Sequence, residues 1–217
     1  VWNEATAEPI GAGVYALPVS FDGDGNIDPS PFVLGMATPE LAVAGDFNVE
    51  ANGDAWPTIG GHDWSPNGTS IVFNEWFEQG VEMRLADVAT GNTVLLLADR
   101  WIRDPNWSPD GTRIAFESAI SGKGGSSSTS VIQTIRVDDV DGSTRTTVAK
   151  AKSTGAFTIL KQVFAPRWSP SGTHLIHEYN QYGNGDHFFN VYRVSADGGG
   201  ATNLTPELQY ARPVAWR

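Results

Sequence analysis

Three ten-residue segments of this 217-residue chain are near copies of one another: WSPNGTSIVF at 64–73, WSPDGTRIAF at 107–116 and WSPSGTHLIH at 168–177. Their tryptophans, Trp64, Trp107 and Trp168, stand 43 and 61 residues apart. With one insertion in the second interval, that is the period of a β-propeller blade, about 40–50 residues. The insertion is visible as Gly124–Ser130, GGSSSTS, whose composition is that of a flexible loop.

The motif has a physical meaning. Pro66, Pro109 and Pro170 preset φ near about −65°, the small polar residue that follows bonds its own backbone, and Gly68, Gly111 and Gly172 tolerate positive φ. The tryptophan ends one strand, and the β-branched and aromatic run after the turn begins the next. Each unit then continues with an alternating strand, a glycine-containing turn and a last strand. The predicted strands are 61–64, 70–76, 81–88 and 92–98 in the second unit, and 104–107, 113–118, 131–138 and 144–149 in the third. In the fourth they are 165–168, 174–180, 188–195 and 201–205. These units define blade 2 (61–100), blade 3 (104–150) and blade 4 (165–206).

The ends of the chain are in phase with the repeat. VWNE at 1–4 aligns with VFNE at 72–75, so the chain starts inside a blade, with Gly13–Val19 as a third strand and Pro31–Met36 as a fourth. PVAW at 213–216 matches the first strand of a unit and ends in Trp216. The expectation is a single all-β domain over 1–217, a propeller of four-stranded antiparallel blades, about four in number. Blade 1 is then built from 212–217 plus 1–46, because an open sheet edge is a liability. A piece of a larger propeller cut at two equivalent loops has the same phase, and Val1 in place of Met suggests a mature or excised piece of something longer.

Composition agrees and excludes. Gly (24), Pro (13) and Trp (8) suit short strands and tight turns, and no stretch sustains helical periodicity over three turns. The best helical candidate, Thr38–Val43, is bounded tightly by Pro39 and Gly45. Without cysteine there are no disulfides, thiol chemistry or cysteine metal sites. A net charge of −11 argues against nucleic acid and anionic membrane surfaces as partners, and no apolar run is long enough to insert in a membrane as a helix.

The pattern WSPDGTRIAF, with VYRVSADGGGATNLT downstream in the fourth unit, resembles the TolB-like β-propeller repeat, which also builds the propellers of tricorn-type and prolyl-oligopeptidase-type peptidases. The likeness runs from Gly61 to Trp216. It implies a propeller, commonly of six blades in that family, and protein–protein scaffolding in the bacterial periplasm or outside the cell. The fold hosts many functions, so residues must decide.

Recurrence at one position marks Trp64, Trp107, Trp168 and Trp216 as packing residues between blades, and Trp2, aligned with Phe73 and Phe116, as core. Trp56, Trp76 and Trp101 fall outside the motif, where an indole caps a blade edge or stacks on a sugar or peptide. His177 replaces the phenylalanine of the other copies, either as a hydrogen-bonded core residue or at a functional face. His174 and His177, three apart in one strand, face opposite sides and cannot share a metal. Asp22, Asp24, Asn26 and Asp28 present oxygens at calcium-loop spacing. Ile27 stands where that loop wants glycine and Val33 where it wants glutamate, which favours a plain hairpin turn and leaves calcium the sole candidate cofactor. No GxSxG, Walker or dinucleotide loop is present, and nothing in the sequence brings together Asp138 and Asp139, or Glu117 and Glu178, for acid–base work. Three sequons occur, at Asn67, Asn106 and Asn203; the first two arise from the repeat turn and give no firm ground for glycosylation.

The leading functional expectation is a non-catalytic binding or scaffold module, secreted or periplasmic, that uses a propeller face for a protein or peptide, with carbohydrate a further candidate ligand. One alternative is the propeller of a larger secreted peptidase-type hydrolase or a lyase. Another is self-assembly by strand exchange at open blade edges.

Overall fold

The computed structural model describes strand backbone at 2–3, 8–9, 12–16, 20–21, 27–28, 40–45, 47–49 and 55–57. It then describes residues 59–77, 80–99, 101–121, 131–153, 159–183, 186–208 and 210–211. The eight early strands are β1 (Trp2–Asn3), β2 (Glu8–Pro9), β3 (Ala12–Ala16), β4 (Ser20–Phe21), β5 (Ile27–Asp28), β6 (Glu40–Gly45), β7 (Phe47–Val49) and β8 (Ala55–Pro57). They pair antiparallel as β1–β2, β3–β6, β4–β5 and β7–β8. The partner of β3 is thus Glu40–Gly45; Pro31–Met36, expected there, lies outside the described residues. Part of the helical candidate is strand as well, since ladder bonds to β3 satisfy a backbone too short to nucleate a helix. Closure by 212–217 also lies outside the described residues.

Three four-stranded antiparallel meanders follow. The first holds β9 (Ile59–Trp64), β10 (Ser70–Phe77), β11 (Gly80–Asp87) and β12 (Thr93–Asp99). The second holds β13 (Ile102–Trp107), β14 (Arg113–Ser121), β15 (Val131–Asp139) and β16 (Arg145–Lys152). The third holds β17 (Ile159–Trp168), β18 (His174–Gly183), β19 (Asp186–Ser195) and β20 (Thr202–Asn203). The described residues include no helix.

Each repeat turn closes in the same way. Gly68, Gly111 and Gly172 donate their N–H to the carbonyls of Ser65, Ser108 and Ser169, all at 2.9 Å. The same serines accept through Oγ the N–H of Ser70, Arg113 and His174 at 2.9–3.1 Å. The glycine φ values, +72°, +72° and +69°, lie in the left-handed region that glycine tolerates.

Apolar runs after the turns alternate faces, and both faces are buried. Val72, Val81 and Met83 of the first sheet share a core with Ile102, Trp107, Ile114 and Phe116 of the second. Ala115, Ile135 and Val137 of the second share one with Val163, Trp168, Leu175 and Val194 of the third. Ile114 and Phe116 therefore face one neighbour and Ala115 the other, which is why the runs read as continuously apolar. Sheets packed on both faces in succession are the architecture of propeller blades.

Candidate functional site

The first strands of the three sheets, β9, β13 and β17, converge, and each carries one β-bulge. Ile59 to His62 span three steps opposite two on β10, Arg103 to Asn106 do so opposite β14, and Phe164 to Arg167 opposite β18. A bulge twists a strand and re-aims its side chains. In the second and third sheets the bulge holds a residue before proline at positive φ, Asp104 at 46° and Ala165 at 51°. That conformation is strained for a non-glycine residue and disfavoured before proline.

The bulges frame an open polar cleft of about 240 Å³, lined by Gly61, His62, Asp63, Asp104, Pro105, Asn106 and Arg167. Asp63 Oδ2 accepts the N–H of Trp107 at 2.7 Å and Asn106 Nδ2 at 3.1 Å, joining the first sheet to the second. Burial raises the pKa of its carboxyl against the opposing pull of the Trp107 and Trp64 backbone N–H groups and the Arg167 guanidinium. Glu117 makes the corresponding joint to the third sheet, its Oε1 accepting the N–H of Ala165 at 2.7 Å. Burial, with the Asp104 carboxyl beside it, pushes Glu117 up to about 8. The equivalent position in the first sheet is Asn74, which is 1% exposed and whose amide oxygen and nitrogen have no hydrogen-bond partner among the described residues. The cleft thus presents carboxyls, an amide and a guanidinium from three rigid strands. Among the described residues no group of three or more His, Asp or Glu is placed to hold a metal ion.

Among the described residues, none of those predicted from the sequence as motif, binding or metal positions lines this cleft. Trp107 and Trp168 are buried between sheets, and Trp168 Nε1 donates to the Asn106 carbonyl at 3.0 Å. Trp64 is 36% exposed and does not share that burial; Trp2 and Trp56 are described as strand backbone alone, and Trp216 lies outside the described residues. Pro66, Pro109 and Pro170 sit exposed on the turns. Trp76 and Trp101 flank the Arg103 guanidinium, 5.4 and 4.6 Å from the two ring centroids, so part of their aromatic surface is covered from within the chain. His177 is 3% exposed, stacks on Tyr192 and bonds the Glu178 carbonyl through Nδ1 at 3.1 Å; burial lowers its pKa. Of the calcium-spaced residues only Asp28 is described, opposite Ser20 in the β4–β5 pair; Asp22, Asp24 and Asn26 lie outside. Asp138 pairs with Arg136 and Arg145 at 3.3 and 2.9 Å. Glu117 and Glu178 occupy matching registers of β14 and β18, opposite Arg103 and Phe164 where the bulges begin.

Asp63, Asp104 and Arg167 were not singled out from the sequence, and Asn106 only as a sequon asparagine. The available signal was DPNW at 104–107 and APRW at 165–168, a second recurrence just upstream of the turn motif.

No family model matches the chain, and no curated protein matches it. Solved structures do. TolB from Acinetobacter baumannii aligns with a TM-score of 0.52 at 16% identity, over 89% of this chain and 38% of that one. A putative TolB from Agrobacterium tumefaciens aligns at 0.48 and 20% identity, over 89% and 68%. The β-propeller domain of the Trilobed protease from Pyrococcus furiosus aligns at 0.45 and 11% identity, over 88% and 57%. The chain spans well under half the length of the A. baumannii protein. Four-stranded antiparallel sheets packed face to face, their bulged first strands converging on one cleft, together with the structural likeness to TolB, give this chain a β-propeller fold.

Proposed function

We propose that this chain is a non-catalytic binding module whose polar inner cleft and surrounding face hold a segment of a partner protein. The observation that carries the reading is the convergence of Asp63, Asp104, Asn106 and Arg167 on an open cleft supported by hydrogen-bonded, bulged strands. Rigid elements fix such groups well, and a preorganised surface loses little entropy when it binds. A chain charge of −11 favours a basic segment, by steering its approach and by excluding acidic competitors. The likeness to TolB supports a protein partner and an envelope or extracellular location, which fractionation of the native host checks.

The test is biolayer interferometry of the chain against basic, neutral and acidic peptides of one length at two salt concentrations. The basic peptide should bind, weaken with salt, and weaken again on Asp104→Asn. Equal binding of all three peptides, or of none, refutes the reading.

A further inference from the structure

The three Asn-Xaa-Ser/Thr sequons are not equivalent in the folded chain, and we infer that Asn67 is an acceptor for an N-linked glycan while Asn106 and Asn203 are not. The inference rests on local geometry and is independent of the binding reading above.

Asn67 lies on the exposed turn between β9 and β10. Its Oδ1 accepts three hydrogen bonds, from Ser65 Oγ at 2.8 Å, Thr69 N at 3.1 Å and Thr69 Oγ1 at 2.9 Å. Every one of these uses the oxygen, which leaves Nδ2 without a protein partner among the described residues. The hydroxyl of the sequon threonine points at the amide of its own asparagine. Space is open as well, since a Cβ built on Gly68 meets nothing within 4 Å. The same turn position carries Asp110 and Ser171 in the other two sheets, both exposed, so a substituent there disturbs no core.

The other two sequons are built differently. Asn106 Nδ2 donates to Asp63 Oδ2 at 3.1 Å within the joint between two sheets, and its sequon hydroxyl, Ser108 Oγ, donates to Asp110 at 2.6 Å. Asn203 Nδ2 donates to Asn190 Oδ1 at 3.2 Å, and Thr205 Oγ1 accepts the Val191 N–H at 3.0 Å. Modifying either asparagine means first taking its amide nitrogen from a partner.

The donor substrate is a polyprenyl-pyrophosphate-linked oligosaccharide. Asn67 Nδ2 forms the bond to the sugar C1, the C1–O bond breaks with its electron pair staying on the pyrophosphate, and the amide proton passes to a base of the transferase. Three donors on Oδ1 stabilise the negative charge that the amide oxygen takes up as the N–H proton leaves.

The experiment incubates the purified folded chain with a single-subunit oligosaccharyltransferase, its lipid-linked oligosaccharide and an Asn-Gly-Thr control peptide, and reads site occupancy by glycopeptide mass spectrometry. Occupancy at Asn67 should exceed that at Asn106 by roughly tenfold, because a hydrogen bond to a carboxylate must be broken at the latter. Asn67→Asp, which reproduces the Asp110 turn and so keeps the fold, should abolish modification, and Thr69→Ala should do the same. An unmodified Asn67 beside a modified control peptide overturns the inference, as does equal occupancy at Asn106 or Asn203.

Discussion

Asp63 Oδ2, on the first strand of one sheet, accepts the backbone N–H of Trp107 on the first strand of the next at 2.7 Å. A single carboxylate thereby fixes the spacing of two sheets at the cleft and also holds Asn106. Removing it orphans two donors. Asp63→Ala should lower unfolding free energy by about 1–3 kcal/mol, whereas Asp63→Asn, which keeps an acceptor oxygen, should lose well under half of that. Urea denaturation midpoints compare the two.

Glu117 makes stability depend on pH. Its folded-state pKa is raised from 4.5 to about 8, chiefly by burial. Between those values the folded chain keeps a proton that the unfolded chain has released, so this contribution is complete below about pH 4.5 and is lost as pH rises through about 8. Unfolding free energy should fall over that window by up to about 1.4 kcal/mol per pH unit from this group, and Glu117→Gln should remove that slope while retaining an acceptor for the Ala165 N–H. A wild type and variant with parallel pH profiles from pH 5 to 9 would refute the assignment.

The two buried motif tryptophans should respond differently to loss of the indole nitrogen. Trp168 Nε1 donates to the Asn106 carbonyl at 3.0 Å, while Trp107 Nε1 is buried without a partner among the described residues. Trp168→Phe should therefore be more destabilising than Trp107→Phe by about 1 kcal/mol. Thermal melts of the two variants, run side by side, measure the difference.

Gly61 is needed for close approach. A Cβ there would lie 3.2 Å from Asn74 Oδ1 and from Asp104 N, and 3.3 Å from Asp104 Cα, so backbone of the adjacent strand would have to shift. Gly61→Ala should be destabilising by about 1–3 kcal/mol. Gly68→Ala meets no atoms and should show only the strain of its positive φ, about 1 kcal/mol. Denaturant titration of both separates steric from conformational loss.

Local chemistry alone determined much of this protein. Proline, a small polar residue and glycine in fixed order specify a turn before any tertiary contact exists, and the apolar runs after Ser70, Arg113 and His174 can only be strands buried on both faces. Three copies of that unit were enough to read an all-β propeller of four-stranded sheets from the sequence. The tertiary structure decided the cleft. Asp63, Asp104 and Arg167 are ordinary polar residues in sequence, and they matter because one bulge in each first strand turns them toward a common space. Glu117 acquires its proton affinity only when a neighbouring sheet buries it beside Asp104. Sequons that look alike part company for the same reason: hydrogen bonds to Asp63 and Asn190 exist only after the sheets and strands have packed, and among the described residues they leave Asn67 as the sequon asparagine whose amide nitrogen is unengaged.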